Sequence, residues 1–214
     1  MNARDKILGR IRTAQARQTT GAQVETISSH LALHPRGPLP PSPDDLVDCF
    51  MERAIKLSSD ALETKDRMEV PALLASYLNK NKLPMRGVCW PSLAQLPWQV
   101  AGLEMQSRPA TNQDLVGVTG AFCAIAETGT LMMLSGEKTP ATTSLLPETH
   151  VAVLDPRRIV ATMEDAWDLL RKECKQPPRA VNFISGPSRT ADIEQTVTLG
   201  AHGPYRVLLI LAPP

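Results

Sequence analysis

The residues best suited to chemistry form a polar quartet in the middle of the chain. Glu127–Thr130 stands between two apolar runs, Ala121–Ala126 and Leu131–Leu134, which are short enough for strands and do not alternate. Such runs are typical of strands covered on both faces, so the carboxylate of Glu127 would lie at the mouth of a dry interior, where its proton affinity is easily altered. The alternative is an ordinary turn in which Gly129 adopts a positive φ and Glu127 faces water. The quartet alone does not decide between these two hypotheses.

A second candidate site lies in the last third of the chain, directly after the apolar segment Val181–Ile184. The pattern predicts a strand, a turn of small residues around Gly186, and a helix that opens behind Ser188. Backbone N–H groups and the positive end of a helix favour an anion at such a place, and Arg189 adds a forked donor for phosphate or carboxylate. The alternative is that Ser188 only caps the helix while Asp192 stabilises its dipole. The segment matches neither a P-loop nor a GxGxxG motif.

Histidine and cysteine spacings define what else the chain can do. His202 lies between Gly200 and Gly203 in a predicted turn, where it is accessible enough to carry a proton or bind a ligand, or is simply a hydrogen-bonded turn residue. His30 and His34 have the spacing of metal ligands on a helix, but the prolines around them argue against a helix and no carboxylate or cysteine completes a set, so no metal site is predicted. The cysteines are too far apart for a zinc or iron–sulfur motif; they are Cys49, Cys89, Cys123 and Cys174.

Composition excludes several classes of protein. Net charge is +1 over 214 residues, and the eight aromatic side chains do not interleave with basic residues, so no nucleic-acid partner is predicted. Residues 1–40 carry six basic and two acidic residues, +4, which leaves −3 for the remainder and predicts a solvated, partner-facing helix. No apolar stretch approaches the roughly 18 residues of a membrane span, and the N-terminus lacks a secretory core, so a cytoplasmic location is expected.

The elements that must position these residues alternate between helix and strand. We predict a basic N-terminal helix and Pro-rich linker over residues 1–41, with the helix at 2–18 and the linker from 19, and a second domain over residues 42–214. Ser42 is the predicted N-cap of the first helix of that domain, and Thr162, with Asp165 three residues on, caps a later one. A further helix is predicted at Met68–Lys80, and strands at Ser59–Thr64, Met85–Trp90, Trp98–Met105, His150–Leu154 and Tyr205–Leu211.

Together these segments resemble the lactate-utilization (LUD domain) family of the LutC/YkgG type. The likeness spans roughly Ser42 to Leu211 and is strongest from Gly117 onward, whereas the first 40 residues are outside it. The residues that carry it are Gly117–Gly120, Ala126–Thr130, Leu146, Pro147, His150, Ile159, Val160, Gly186–Glu194 and Leu199–Pro204.

The resemblance implies a fold and a site. The fold is a three-layer αβα domain with a mostly parallel central sheet, similar to the NagB/RpiA/CoA-transferase-like group, which agrees with the alternation of elements. Ligands in that group commonly sit where strand ends meet helix N-termini. We therefore expect one pocket for a small carboxylate or nucleotide-like ligand, shared by the quartet Glu127–Thr130, the turn Gly186–Asp192 and the turn His202–Pro204. The expected catalytic residues are Glu127 and His202; the expected ligand-binding residues are Thr128, Gly129, Thr130, Gly186, Ser188, Arg189, Thr190, Asp192 and Gly203.

The resemblance also implies a function, although fold membership does not fix chemistry. The family belongs to a three-protein system that oxidises L-lactate to pyruvate; the iron–sulfur clusters are expected on the partner proteins, and none is expected on this chain. Three hypotheses stay open: a non-cluster component of that system that binds a small anion, a free-standing acyl-, CoA- or phosphoryl-transfer enzyme with Glu127 as nucleophile, and a non-catalytic assembly subunit. Whether the chain is itself catalytic, and whether it forms a homo-oligomer, stay open as well.

Overall fold

The computed structural model describes residues 2–15, 21–34, 36–39, 41, 43–190, 198–200 and 202–214, in two compact units, Met1–Pro40 and Pro41–Pro214. The first unit contains helices α1 (Ala3–Gln15) and α2 (Gly21–Leu33). The predicted linker is therefore wrong over α2. Val24, Ile27 and Leu31 recur there at helical spacing, and no proline precedes position 35, so the later prolines do not prevent the helix.

The second unit is built on a six-stranded sheet in which every neighbouring pair is parallel. Each of its strands is short, and the three central ones are buried along almost their whole length. This sheet confirms the predicted α/β fold with a mostly parallel central sheet. From one edge to the other the strands are β1 (Asp60–Glu63), β12 (Arg206–Leu211), β7 (Thr149–Leu154), β4 (Val116–Gly120), β2 (Arg86–Cys89) and β3 (Glu104–Ser107).

Helices cover both faces of this sheet because its strands carry apolar side chains on both sides. Helix α4 (Val70–Lys80) packs on one face through Leu74 and Leu78, which lie against Val118 and Val151. Helix α3 (Leu46–Lys56) belongs to the core on the other face, with strand residues of opposite parity such as Ala152. Successive buried residues along each strand of this sheet therefore point alternately into the core on the α4 side and the core on the α3 side.

A second sheet lies on the α3 side and was not predicted. Its order is β8 (Ile159–Val160), β5 (Cys123–Ile125), β6 (Thr130–Leu134) and β9 (Val181–Ile184). Strands β5 and β6 form an antiparallel hairpin around the polar quartet. Helix α6 (Met163–Glu173) covers the outer face of this sheet, so the hairpin is buried on both faces, as its unbroken apolar runs predict.

Local start signals succeeded for one helix and failed for another. The Thr162 side chain accepts a hydrogen bond from the N–H of Asp165, and the carboxylate of Asp165 accepts one from the N–H of Thr162. These two bonds form the predicted capping box of α6. Helix α3, however, begins at Leu46, and its cap is Asp45, whose carboxylate accepts from two backbone N–H groups. The predicted cap Ser42 was wrong because Asp45, the second of two consecutive aspartates, offers a better acceptor. Ser42 itself lies outside the described residues.

The helix predicted directly behind Ser188 does not begin there. Arg189–Thr190 is strand β10, which pairs antiparallel with β11 (Thr198–Leu199). Residues 191–197, including Asp192, lie outside the described residues. The strand predicted at Trp98–Met105 is also wrong in its first half, where a 3₁₀ turn at Gln99–Ala101 ends on Gly102 with a left-handed φ of 73°. A short helix α5 (Thr142–Leu145) completes the unit.

Candidate functional site

The last turn of α3 is the place where the predicted polar segments meet. Gly129, at φ 64° in the β5–β6 turn, packs so closely that a Cβ there would lie 2.6 Å from the backbone nitrogen of Ala54. Gly186, at φ 80° after β9, packs beside it, where a Cβ would lie 2.3 Å from the carbonyl oxygen of Leu57. Both positions require glycine, for the φ angle and for the close approach of two backbones. The two segments are therefore pressed against the same end of one helix.

Hydroxyl groups and one guanidinium join these segments. The Oγ1 atom of Thr130 and the Oγ atom of Ser185 are 2.6 Å apart, which links β6 to the segment after β9. Nη2 of Arg189 donates to the carbonyl oxygen of Leu57 at 2.9 Å and to the hydroxyl of Ser58. The Nε and Nη1 atoms of Arg189 have no hydrogen-bond partner in the described part of the chain, and its side chain is exposed. The guanidinium is thus anchored by one nitrogen and can offer the others to a ligand.

The turn before β12 lies against the same segment. The N–H of Ser188 donates to the carbonyl oxygen of Pro204 at 2.9 Å, and the N–H of Gly200 donates to the carbonyl oxygen of Ser188 at 2.9 Å. A Cβ on Gly203 would lie 3.3 Å from the Cβ of Ser188. His202 is exposed in this turn. The turn before β12 is therefore in direct contact with the segment after β9, and that segment in turn contacts the end of α3 through Gly186 and Arg189.

Glu127 lies at the far end of the polar quartet and has a structural partner. Its carboxylate oxygen Oε1 accepts from the N–H of Met163, the first residue of α6, at 2.8 Å. Its own N–H donates to the carbonyl oxygen of Ala161 at 3.1 Å. The turn hypothesis is right about the positive φ of Gly129, but Glu127 faces the start of a helix, where a negative charge is stabilised by the helix dipole. The neighbouring Thr128 is exposed.

The structure thus brings some predicted site residues together and places others apart. Those that gather at the last turn of α3 or contact the segments there are Gly129, Thr130, Gly186, Ser188, Arg189 and Gly203. Thr190 is in β10, in register with Thr198. One further basic residue was missed: Arg53 of α3 is exposed, and a Cβ on Gly129 would lie 2.9 Å from its Cβ. Its position on α3 was visible in the sequence, but its closeness to Gly129 was not.

Comparison with known proteins identifies the family. A family model described as "LUD domain" matches residues 92–212, more than half of the chain. This chain belongs to the LUD domain family. "Lactate utilization protein C" of Bacillus subtilis is 28% identical over 190 residues, with 79% of each chain covered. "Lactate utilization protein C" of Halalkalibacterium halodurans is 30% identical over 185 residues, which cover 79% of this chain and 80% of that protein.

A solved structure supports the same fold. The crystal structure of a DUF162 family protein from Deinococcus radiodurans superposes with a TM-score of 0.62 at 23% identity, and the match covers 81% of this chain and 99% of that chain. At this identity the likeness concerns the fold. Over the described residues, no helix of the chain combines the length and apolarity that a membrane span requires, and no group of three or more potential metal-ligating side chains occurs.

The LUD domain also buries a polar pair, two residues that carry the family resemblance but were not predicted to contact each other. His150 of β7 is fully buried, and its Nε2 atom is 2.8 Å from the hydroxyl of Thr119 on β4. Its Nδ1 atom has no hydrogen-bond partner among the described residues. Burial lowers the pKa of His150 from 6.5 to about 4, so the imidazole is neutral at pH 7. The signal in the sequence was a histidine inside an otherwise apolar strand, but its partner lies 31 residues earlier.

Helix α5 closes over this pair. A Cβ on Gly117, which is in register with His150, would lie 2.1 Å from the carbonyl oxygen of Thr143. The indole N–H of Trp90 donates to the carbonyl oxygen of Pro140 at 3.2 Å and holds the preceding loop against the sheet. The loop of residues 135–147 therefore packs on β4 and shields His150 from water.

A cavity of about 280 Å³ lies at the other edge of the LUD domain, beside β3. It is lined by Arg86 and Glu104, which are in register on β2 and β3, and by an ion pair between Arg108 and Asp114. Both nitrogens of the Arg108 fork lie 2.7 Å from the Asp114 carboxylate, and these hydrogen bonds hold the pKa of Asp114 well below its usual range. None of these residues was predicted as part of a site.

Proposed function

We propose that this protein is a non-cluster component of an iron–sulfur protein system that oxidises L-lactate to pyruvate, and that it binds a small anionic ligand at the last turn of α3. The observation that carries the proposal is the similarity to two proteins named lactate utilization protein C over about four-fifths of both chains. The cysteines of the chain are unpaired and lie on separate elements, so the proposal assigns cluster binding to the partner proteins.

The chemistry of the proposed site fits a carboxylate. Within the described residues Nε and Nη1 of Arg189 have no hydrogen-bond partner, and a guanidinium binds a carboxylate through two parallel hydrogen bonds. Arg53 adds a second exposed cation near Gly129, and the residues Thr128 and Ser185 of the same two segments are exposed. L-Lactate and pyruvate each carry one carboxylate and one neighbouring oxygen, which such a set of donors would bind together.

The proposal gives the two candidate proton carriers different roles. His202 is exposed in the turn that contacts Ser188, so it is the group available to exchange a proton with a ligand held by Arg189. Glu127 has one carboxylate oxygen occupied by the N–H of Met163. The contact supports a helix-capping role for Glu127 and gives no support to a covalent acyl-transfer step there.

Ligand binding is tested by thermal unfolding of the purified chain with L-lactate, pyruvate, D-lactate and chloride. A ligand that binds only the folded state raises the melting temperature by mass action, so L-lactate or pyruvate should raise it and chloride should not. Arg189→Ala should remove the shift. Arg171→Ala, which removes an exposed arginine from α6, is the matched control and should keep it.

The functional part of the proposal needs its own measurement. Lactate-dependent dye reduction is measured with candidate iron–sulfur partner proteins, with and without the chain. We expect reduction to require the chain and to fall with Arg189→Ala. Dye reduction that is unchanged when the chain is omitted would overturn the role in lactate oxidation, whatever the thermal shifts show.

A further inference from the structure

The segment of residues 135–147 buries polar side chains and exposes apolar ones. In helix α5, Thr143 and Ser144 are fully buried, whereas Leu145 and the following Leu146 are 39% and 51% exposed. A helix on a protein surface ordinarily does the reverse, because the burial of apolar area is what holds it to a core. The two leucines therefore contribute little to holding α5 on the sheet.

Two polar atoms enclosed under this segment have no hydrogen-bond partner in the described part of the chain. They are the Oγ1 atom of Thr143 and the Nδ1 atom of His150. Thr143 lies over Gly117, which is in register with His150 on the neighbouring strand, so the threonine and the histidine meet on the same face of the sheet. A buried polar group without a partner destabilises the arrangement that buries it. Water could reach both atoms if the segment moved away from the sheet.

We propose that residues 135–147 form a lid, which opens while the sheet stays folded and gives small polar molecules access to His150. One ring nitrogen of His150 is 2.8 Å from the hydroxyl of Thr119 and is oriented by it. The other ring nitrogen has no partner under the closed lid, so it can exchange a proton with a molecule that the open lid admits. The lid includes no residue of the proposed carboxylate site, and its test is independent of that proposal.

The hydrogen bonds of the lid fit a segment that moves as a unit. One end is fixed, because the N–H of Ser135 donates to the carbonyl oxygen of Ala180 and the N–H of Ala180 donates to the Ser135 hydroxyl. The other end continues into β7. Among the described residues, the one hydrogen bond that joins residues 136–147 to the rest of the chain runs from the Trp90 indole to the carbonyl oxygen of Pro140, at 3.2 Å. Opening therefore breaks few bonds.

Gly117 offers a substitution that acts on the closed lid. A Cβ there would lie 2.1 Å from the carbonyl oxygen of Thr143 and 2.8 Å from Cγ of Pro147, and both atoms belong to the lid. The φ of Gly117 is not positive, so alanine fits the strand and the clash falls on the lid. Gly117→Ala should therefore favour the open lid. Gly120→Ala in the same strand is the matched control, because its Cβ would make only an ordinary contact of 3.8 Å with Trp90.

A second substitution should act in the opposite direction. Thr143→Val keeps the shape of the side chain and removes the buried hydroxyl that has no partner in the described part of the chain. The closed lid then no longer loses a hydrogen bond to water. Thr143→Val should therefore lower the access of reagents to His150 by about five-fold.

The measurement is the rate at which diethyl pyrocarbonate modifies His150 at pH 7, followed by peptide mass spectrometry and divided by the rate in the urea-unfolded chain. Labelling of Cys123 with a thiol reagent, normalised in the same way, reports global unfolding, because this thiol is fully buried in the second sheet. We expect the normalised rate of His150 to exceed that of Cys123 by at least about ten-fold. Gly117→Ala should raise the His150 rate by a further factor of about ten, and Gly120→Ala should leave it unchanged.

Two results would overturn the lid. The first is a wild-type chain in which His150 and Cys123 have equal normalised rates, since His150 would then be reached only by global unfolding. The second is a His150 rate that neither Gly117→Ala raises nor Thr143→Val lowers. If Gly117→Ala labels rapidly at Cys123 as well, that variant is unfolded, and the decrease expected for Thr143→Val decides the question.

Discussion

Burial of His150 makes the stability of this protein depend on pH between about 4 and 6.5. The pKa of His150 is lowered from 6.5 to about 4 because the fully buried imidazole is kept from water. Between these values the unfolded chain binds a proton that the folded chain excludes, so stability rises with pH and is lost as the pH falls from 6.5 toward 4. One pKa unit corresponds to about 1.4 kcal/mol, so this group alone should cost about 2 kcal/mol between pH 7 and pH 5.

The perturbation that tests this reasoning is His150→Gln, which keeps a polar side chain in the strand and removes the titrating group. The variant should be less stable than the wild type at pH 7, because the contact with Thr119 is disturbed. The free energy of unfolding that the variant then loses between pH 7 and pH 5 should nevertheless be smaller than the loss of the wild type by about 2 kcal/mol. The measurement is urea unfolding at fixed ionic strength, with equal m-values confirming that the same transition is compared.

His202→Gln is the matched control, because it makes the same substitution at an exposed position. It measures how much of the pH dependence any histidine-to-glutamine exchange removes. If His150→Gln and the wild type lose the same free energy of unfolding between pH 7 and pH 5, then His150 is not excluded from water. Helix α5 would then not pack over His150 as described.

Two further substitutions test the contacts around the polar quartet, each by urea unfolding. Glu127→Ala removes the acceptor for the Met163 N–H and should lower the free energy of unfolding by about 1 kcal/mol, whereas Glu127→Gln keeps an acceptor and should lose less; equal losses would contradict capping. Gly129→Ala combines an unfavourable positive φ with a clash against Ala54 and should cost about 3 kcal/mol. Gly102 has a similar φ of 73°, but a Cβ there would meet no other atom, so Gly102→Ala should lower the free energy of unfolding by only about 1 kcal/mol. If both alanine variants lose a similar free energy, there is no close approach at Gly129.

Where a structure depends on nearby residues, the sequence predicted it. The capping box of α6 needs only Thr162 and Asp165, three positions apart, and it was found where the pattern indicated. The strand at His150–Leu154 and the helix that ends at Lys80 were also located, because an apolar run or a helical stripe is visible within one window. The parallel sheet followed from the alternation of such elements together with the family resemblance.

Predictions that depended on distant partners failed or stayed open. The helix expected behind Ser188 is replaced by a strand whose partner, β11, lies eight or more residues away, and local residue types do not show which pairing wins. The second sheet joins β6 to β9 across about fifty residues, which no short window reveals. Glu127 was expected to face either a dry pocket or water, and it faces a helix that starts 36 residues later.

The sequence by itself therefore determined the helices and strands with strong local signals, the class of fold and the family. The tertiary structure decided which polar groups meet: Arg189 with the end of α3, Ser188 with the turn before β12, and His150 with Thr119. The physical reason is that capping and hydrophobic periodicity act over a few residues, whereas a site is made by close approach of backbones far apart in the chain. Only glycines such as Gly129 and Gly186 allow that approach, and their partners are known only once the fold is.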